Sequence, residues 1–198
     1  MLERTAAERD VAGRTASSER PRVAPGTFRQ IGAIAYVAAQ LGGLAAGTSP
    51  LNLFTTLGRH RSLFWRWLCF ASGLMPGGRL PRAETELVIL RVAARTDCTY
   101  EWTHHVRLAR KAGLEERQLT RLREREISDF FSPRVTAMLR AADELHDQRT
   151  LSDAAWLAVR EQLDDREAIE LCMLVGHYEM LAMLLNGLRV PSDTPRNS

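Results

Sequence analysis

Hydrophobic residues recur along most of the chain with the spacing of about 3.6 residues that is typical of amphipathic helices. No stretch alternates apolar and polar residues for long enough to indicate a half-buried β-strand. Proline, glycine and serine residues interrupt the pattern at points where helices commonly begin or end. These boundaries predict helices over 52–57, 62–74, 83–96, 98–112, 133–147, 152–163 and 166–188. The sequence therefore predicts an all-α fold of seven or eight helices.

Both ends of the chain lack this helical pattern. Residues 1–25 are rich in arginine and include Pro21 and Pro25, so we expect a disordered tail that buries little surface. Residues 192–198 are similarly polar, and we expect a mobile C-terminus there. The length of the chain favours one domain over two, which places a single domain at 26–191.

The composition, with 45% hydrophobic and 26% charged residues, excludes a disordered or fibrous protein. The 27 basic and 24 acidic residues are interspersed and leave a net charge of +3, which is too small to predict a nucleic-acid partner. Three scattered cysteines favour a reducing, cytoplasmic location, and we expect Cys69 and Cys172 in the core. The longest uncharged stretch, 30–58, is rich in Gly and Ala, and we expect no membrane span.

Candidate chemistry comes from polar residues that fall on apolar helix faces. On the helix over 83–96, Glu86 lies on the side that faces the core. On the next helix, Cys98, Glu101 and His105 follow a single apolar stripe, with Glu101 and His105 one turn apart. Buried titratable groups that share a pocket are typical of general acid–base catalysis. These four residues are the candidate catalytic group.

Two helices carry more apolar surface than a domain of this size normally covers. The helix over 166–188 is apolar nearly all round, and the helix over 62–74 is rich in aromatic residues. We therefore expect a homo-oligomer.

The stretch LPRAETELVILR at 80–91, followed by CTYEWTHHVRLAR at 98–110, resembles the signature of the carboxymuconolactone decarboxylase family of the AhpD-like superfamily. Further segments agree in the same order, at 52–60, 77–80, 141–146 and 176–183. The resemblance covers about residues 50–190. It implies an AhpD-like helical bundle that assembles into trimers or hexamers.

The resemblance separates two branches of the family. In the peroxidase branch, a glutamate precedes a Cys-x-x-Cys pair, and a histidine follows four residues after the second cysteine. Glu86, Cys98 and His105 match three of these positions, whereas Glu101 stands where the second, peroxidatic cysteine would be. Without a vicinal thiol, Cys98 cannot complete the usual dithiol cycle. The resemblance therefore implies the other branch, whose named activity is the cofactor-free decarboxylation of a carboxylated unsaturated lactone.

We accordingly expect a cofactor-free lyase or isomerase-type enzyme that acts on a small carboxylated or enolisable substrate. His105 is the predicted proton donor, Glu101 orients it and raises its pKa, and Glu86 completes the relay, with Cys98 as a further candidate. Residues nearby or on the last helix are predicted to contact the substrate, namely Tyr100, Trp102, His104 and His177.

Two alternatives stay open at this point. One is a thiol-dependent reductase, similar to an alkylhydroperoxidase, that uses Cys98 with an external thiol. The other is a non-catalytic oligomeric binding protein in which Glu101 and His105 form only buried structural pairs. We expect no metal site, because the spacing of these residues matches no standard zinc motif.

Overall fold

The computed structural model describes residues 20–124, 127 and 130–196, and the regular elements in this part of the chain are helical. They are α1 (Phe28–Ala46), α2 (Asn52–Leu57), α3 (Arg61–Leu74), α4 (Arg82–Arg95), α5 (Thr99–Lys111), α6 (Glu116–Arg121), α7 (Pro133–Gln148), α8 (Asp153–Gln162) and α9 (Asp165–Leu188). The all-α prediction is confirmed. The described residues form nine helices rather than seven or eight. The sequence pattern missed α1, whose many glycines and alanines give little contrast between faces, and α6, which has only six residues.

Side-chain caps set the helix starts that the sequence located well. α7 begins with Pro133 in its first turn, and the Ser132 hydroxyl accepts a hydrogen bond from the amide of Val135 at 3.3 Å. α9 begins after Asp164, whose carboxylate accepts from the amide of Glu167 at 2.8 Å. These caps satisfy amide groups that have no partner within the helix. Both starts therefore lie within one residue of the predicted ones.

α4 is the central helix of the bundle, because it packs against α5, α7 and α9. Its residues from Thr85 to Ala93 are all buried, including Arg91. The Arg91 guanidinium donates two hydrogen bonds of 2.7 Å to the Asp143 carboxylate and also donates to the carbonyls of Leu122 and Glu124. A buried charge is tolerated when it is paired and hydrogen-bonded in this way. The side of α4 that carries Arg91 is therefore covered by α7 and faces away from α5.

The C-terminal segment lies against the bundle, which differs from the mobile C-terminus predicted at 192–198. The buried carboxylate of Asp193 accepts hydrogen bonds from the Asn52 amide at 2.8 Å and the Tyr100 hydroxyl at 2.7 Å. The Thr194 carbonyl accepts from the amide of Ser49 at 2.8 Å. One anchored carboxylate therefore orders a segment whose composition alone indicates mobility. Residues 197–198 lie outside the described residues.

The predicted Arg-rich tail at 1–25 falls mostly on residues 1–19, which lie outside the described part of the chain. At Arg22, the amide and the guanidinium Nη1 donate to the carbonyls of Leu188 and Gly187, at 2.9 and 2.8 Å. The chain therefore meets the end of α9 before α1 begins.

α9 is long and apolar enough, by length and composition, to cross a membrane. More than half of its apolar window is buried inside the bundle, which is the pattern that the core helix of a soluble protein also gives. Cys69 on α3 and Cys172 on α9 are both exposed, which contradicts their predicted place in the core. These helices carry apolar residues on several faces, whereas one copy of the chain covers only part of each.

We expect Asp193→Ala to lower the free energy of unfolding by about 1–3 kcal/mol, because the change leaves the Tyr100 hydroxyl and the Asn52 amide without their acceptor. Urea unfolding followed by circular dichroism measures the difference. Ser192→Ala is the matched control, since Ser192 is exposed in the same segment. Equal stability of the two variants would contradict the anchoring role of Asp193.

Candidate active site

A cavity of about 260 Å³ lies between α2, α3, α5 and α9. Most of its wall is apolar, with Phe54, Trp67 and Met75 among the larger side chains. The titratable side chains of the wall come from α5 and α9, namely Tyr100, Glu101, His104, His105, His177 and Tyr178. All of these except Tyr178 are residues that the sequence pattern singled out.

Two charged side chains, Glu86 and then Arg82, form a chain of hydrogen bonds that begins at the His105 imidazole. Its Nδ1 lies 2.8 Å from Glu86 Oε2, and Glu86 Oε1 accepts from Arg82 Nε at 2.8 Å. The Tyr178 ring meets the imidazole edge to face, with centroids 5.1 Å apart. Because the Glu86 carboxylate accepts the hydrogen bond, Nδ1 carries the proton of the neutral imidazole. Nε2 is then the ring nitrogen with a free lone pair for the cavity.

Burial sets the protonation of His105. It lowers the pKa of the imidazole, although the charge and the hydrogen bond of Glu86 act in the opposite direction. Interactions with the neighbouring His104 and Arg82 lower the pKa of His105 further. The imidazole is therefore neutral at neutral pH and suited to accept a proton. The sequence predicted the opposite role, that of proton donor.

Glu101 is the second carboxyl group of the site, and its surroundings differ from those of Glu86. Its side chain is almost fully buried, and neither oxygen has an N–H or O–H partner among the described residues. Burial raises the pKa of Glu101 to about 8, and the charge of Glu179 acts in the same direction, whereas a hydrogen bond from the Cys98 thiol lowers it. The carboxyl group is therefore mostly protonated at neutral pH and is a hydrogen-bond donor.

The structure corrects the predicted link between Glu101 and His105. These residues lie one turn apart on α5, but the group that holds the imidazole is Glu86 on α4. A carboxylate on a facing helix reaches Nδ1 directly, whereas side chains four residues apart lie side by side along one helix. His105 therefore has two carboxyl neighbours in different positions. Glu86 lies behind the imidazole, and Glu101 lies beside it in the cavity wall.

Cys98 has the wrong surroundings for thiolate chemistry. It is the N-cap residue of α5, is only 1% exposed and does not belong to the cavity wall. Burial and the neighbouring Glu101 raise its pKa to about 12, so the thiol stays protonated at neutral pH. Within the described ranges, no three His, Cys, Asp or Glu side chains lie close enough together to hold a metal ion.

Tyr100 and His104 form the part of the wall next to the C-terminal segment. The Tyr100 hydroxyl donates to Asp193 and accepts from the Leu53 amide at 3.1 Å. The His104 ring stacks on Tyr100, and its Nδ1 lies 3.6 Å from Asp193 Oδ2. Asp193 therefore holds Tyr100 by a hydrogen bond and lies close to His104 in the same part of the wall. The sequence missed it because it lies in the segment predicted to be mobile.

His177 contributes an unused polar group to the same wall. Its ring stacks on Trp67, with centroids 6.1 Å apart, and Nδ1 is buried with no hydrogen-bond partner in the described part of the chain. Burial lowers the pKa of His177 to about 4, with a further contribution from the charge of His105. The imidazole is therefore neutral at neutral pH and is available to hydrogen-bond a ligand.

The cavity wall differs from the sequence-based site at two residues, Trp102 and Tyr178. Trp102, predicted to contact the substrate, is not in the cavity wall, and its ring lies 4.1 Å from the Arg123 guanidinium. Tyr178, which was not predicted, belongs to the wall, and burial together with the charges of Glu86 and Glu101 raises its pKa. The hydroxyl of a buried tyrosine needs a polar neighbour. A tyrosine within an apolar helix was therefore the sequence signal that could have identified Tyr178.

Comparison with known proteins places this site in a family. Residues 61–144 match the model of the carboxymuconolactone decarboxylase family. This segment belongs to that family. It contains α4, α5 and all four residues predicted to be catalytic, which confirms the resemblance seen in the sequence. A search of the curated proteins finds no match.

Several solved structures have a fold similar to that of this protein over most of its chain. An uncharacterised peroxidase-related protein from Ralstonia eutropha JMP134, described as an alkylhydroperoxidase AhpD core, has 18% identity and a TM-score of 0.78, over 89% of this chain and 94% of that chain. A peroxidase-related protein from Silicibacter sp. TM1040 has 14% identity and a TM-score of 0.74, over 88% and 95%. A variant of the debrominase Bmp8, in complex with 2,3,4-tribromopyrrole, has 13% identity and a TM-score of 0.73, over 88% and 93%. At these identities the likeness shows an AhpD-like fold.

We expect Glu101→Gln to stabilise the protein increasingly as the pH rises from about 4.5 to about 8. In this window the unfolded state ionises Glu101, whereas the folded state keeps it protonated, so the stability that the wild-type carboxyl group contributes is lost with rising pH. The difference should grow by up to about 1.4 kcal/mol per pH unit. Urea unfolding at several pH values measures it. Glu161→Gln, at an exposed position on α8, is the control. A difference that is constant with pH would contradict the raised pKa.

Proposed function

We propose that the protein is a cofactor-free proton-transfer enzyme of the isomerase or lyase type, with a small enolisable substrate. The observation that carries this proposal is that a neutral imidazole and a protonated carboxyl group, from His105 and Glu101, share the wall of one mostly apolar cavity. Pairs of titratable groups whose surroundings drive them to opposite roles are typical of enzymes that move protons.

The reaction begins when the substrate lies with an acidic C–H group at Nε2 of His105. Nε2 takes the proton, the C–H bond breaks and its electron pair moves onto the neighbouring carbonyl group, which forms an enolate. The Glu101 O–H donates a hydrogen bond to the enolate oxygen. Glu86, which accepts a hydrogen bond from Nδ1, stabilises the imidazolium that forms. Return of the proton to a different carbon gives an isomer. In a lyase reaction, His105 takes the proton of a β-hydroxyl group, the Cα–Cβ bond breaks to give the same enolate, and the other fragment leaves as an aldehyde or ketone.

The size of the cavity supports a small substrate. Its volume of about 260 Å³ lies just below the roughly 300–1,000 Å³ of sites for drug-sized ligands. In the Bmp8 complex, a protein of the same fold holds 2,3,4-tribromopyrrole, a small ring compound. A cyclic compound with one carbonyl group is a substrate of comparable size.

Deuterium exchange from D₂O into 5-methyl-2(3H)-furanone and cyclohex-3-enone, followed by proton NMR, tests this proposal. We expect the wild-type protein to accelerate exchange and His105→Gln to slow the catalysed rate by at least about 100-fold, since the base is removed. Cys69→Ser is the control and should keep the wild-type rate, because Cys69 is exposed on α3 and is outside the cavity wall. Equal rates for wild type and His105→Gln would contradict the assigned base.

Two further variants, Cys98→Ser and a double replacement of Glu101 and His105, test the two alternative functions. Hydroperoxide consumption with dithiothreitol that is lost in Cys98→Ser would replace the proposal with a thiol-dependent reductase. Replacement of Glu101 and His105 together by apolar residues, with no loss of ligand binding, would favour a non-catalytic binding protein. The burial and raised pKa of Cys98 speak against the first of these outcomes.

We also infer that the protein works as a cytoplasmic homo-oligomer without a nucleic-acid or membrane partner. The support is an apolar stripe along the outer face of α9, formed by Ile169, Met173, Met180 and Met183, with Gly176 between them. Ile169 and Met183 are 65% and 62% exposed. The alternating spacing of four and three residues is that of helices that pack against each other. A second copy of this chain is the partner that the stripe fits.

Sedimentation velocity at micromolar concentration should therefore show a species heavier than the 22.3 kDa monomer. We expect Met183→Glu to shift the distribution toward the monomer, because it places a charge in the apolar stripe. Gln148→Glu adds the same charge at an exposed polar position on α7 and should leave the distribution unchanged. A monomeric wild-type protein would overturn the inference.

A further inference from the structure

We propose that the cavity selects an uncharged cyclic carbonyl compound and discriminates against carboxylated substrates. The proposal names the substrate class of the function proposed above and rests on it. It departs from the carboxylated lactone that the family resemblance implied. Its basis is the set of groups that form the wall of the cavity.

The wall offers no cation to a substrate carboxylate. Among the described residues that line it, none is an arginine or a lysine. Arg82, the arginine behind His105, is bound to the far side of Glu86, and Arg91 of the same helix is paired with Asp143. The positive groups of α4 are thus engaged outside the cavity. A carboxylate that entered would lose its hydration without gaining a counter-charge, which is strongly unfavourable.

The histidines and the glutamate of the wall do not replace the missing cation. Nδ1 of His104 lies 3.6 Å from the Asp193 carboxylate, so any charge on this ring already has a counter-charge. Burial keeps His177 and His105 unprotonated at neutral pH, so neither supplies a positive charge. Glu101 is neutral while protonated, and it becomes a second negative charge when it ionises. A carboxylate next to Glu101 would therefore meet a neutral group at best and a repelling group at worst.

The same wall is well suited to a neutral ring with one acceptor. The Glu101 oxygens and Nδ1 of His177 are buried without an N–H or O–H partner in the described structure, so each has a hydrogen-bonding capacity that a polar atom of a ligand would satisfy. The aromatic rings of Phe54 and Trp67 provide a flat apolar surface for the rest of the molecule. One carbonyl oxygen on Glu101 and an acidic C–H at His105 satisfy these groups together. Lactones and cyclic ketones of five or six ring atoms have this chemistry.

A matched pair of saturated lactones tests the discrimination without turnover. The probes are γ-valerolactone and 5-oxotetrahydrofuran-2-carboxylate, which share the ring and carbonyl and differ in a methyl or carboxylate substituent. Binding to the full-length protein at pH 7 is measured by ligand-detected NMR titration. We expect the neutral lactone to bind at least about tenfold more tightly than the carboxylate. Equal or tighter binding of the carboxylate, or no binding of either probe, would overturn the proposal.

A gain of cation provides the matched variant. Ser72 belongs to the wall and is exposed, so Ser72→Lys adds a positive charge at the cavity with little disturbance of the core. We expect this variant to bind the carboxylate more tightly than wild type and to lose the preference, whereas Ser72→Gln should keep it. No gain of carboxylate binding in Ser72→Lys would contradict the missing cation as the cause. Binding selectivity without deuterium exchange would support this inference while it refutes the proposed proton transfer, so the two failures are distinguishable.

Discussion

The buried hydrogen bond between Glu86 and His105 joins the central helix of the bundle to the helix that carries the site. It forms only because α4 and α5 pack closely, and it places a carboxylate and an imidazole in the core with a single surface arginine as counter-charge. Removal of Glu86 would take the acceptor away from the buried imidazole, whereas removal of His105 would leave Glu86 paired with Arg82. The orientation of the imidazole, its tautomer and the free nitrogen in the cavity all follow from this contact.

The two carboxyl groups of the site, those of Glu86 and Glu101, have different hydrogen-bond partners. Glu86 has Arg82 and His105 as partners, whereas the Glu101 oxygens have no N–H or O–H partner among the described residues and are next to the weakly donating Cys98 thiol. The residue type is the same in the two cases, so the raised pKa of Glu101 comes from its desolvation without such partners. A site of this kind can hold an acid and a base together at neutral pH without a cofactor.

The cavity depends on segments that are far apart in the chain. Its wall combines residues from α2, α3, α5 and α9, and Asp193 near the C-terminus holds Tyr100 by a hydrogen bond. The helices that form the cavity also leave apolar surface outside, most clearly on α9. One copy of the chain covers only part of α9. One side of this helix therefore lines the cavity, and another side carries the outer apolar stripe.

The sequence alone determined the helical class, most helix boundaries and the family, because periodic apolar residues, caps and ordered motifs are local properties of the chain. It also found Glu86, Glu101 and His105, since buried polar residues stand out against an apolar helix face. It did not find Asp193 or Tyr178, and it gave Trp102 and Cys98 places that the structure does not support. The contacts that decide these cases join residues distant along the chain, such as Asp193 with Tyr100. Only the tertiary structure decided which carboxyl group holds His105 and which stays protonated, because partner distances and desolvation exist only after the helices pack.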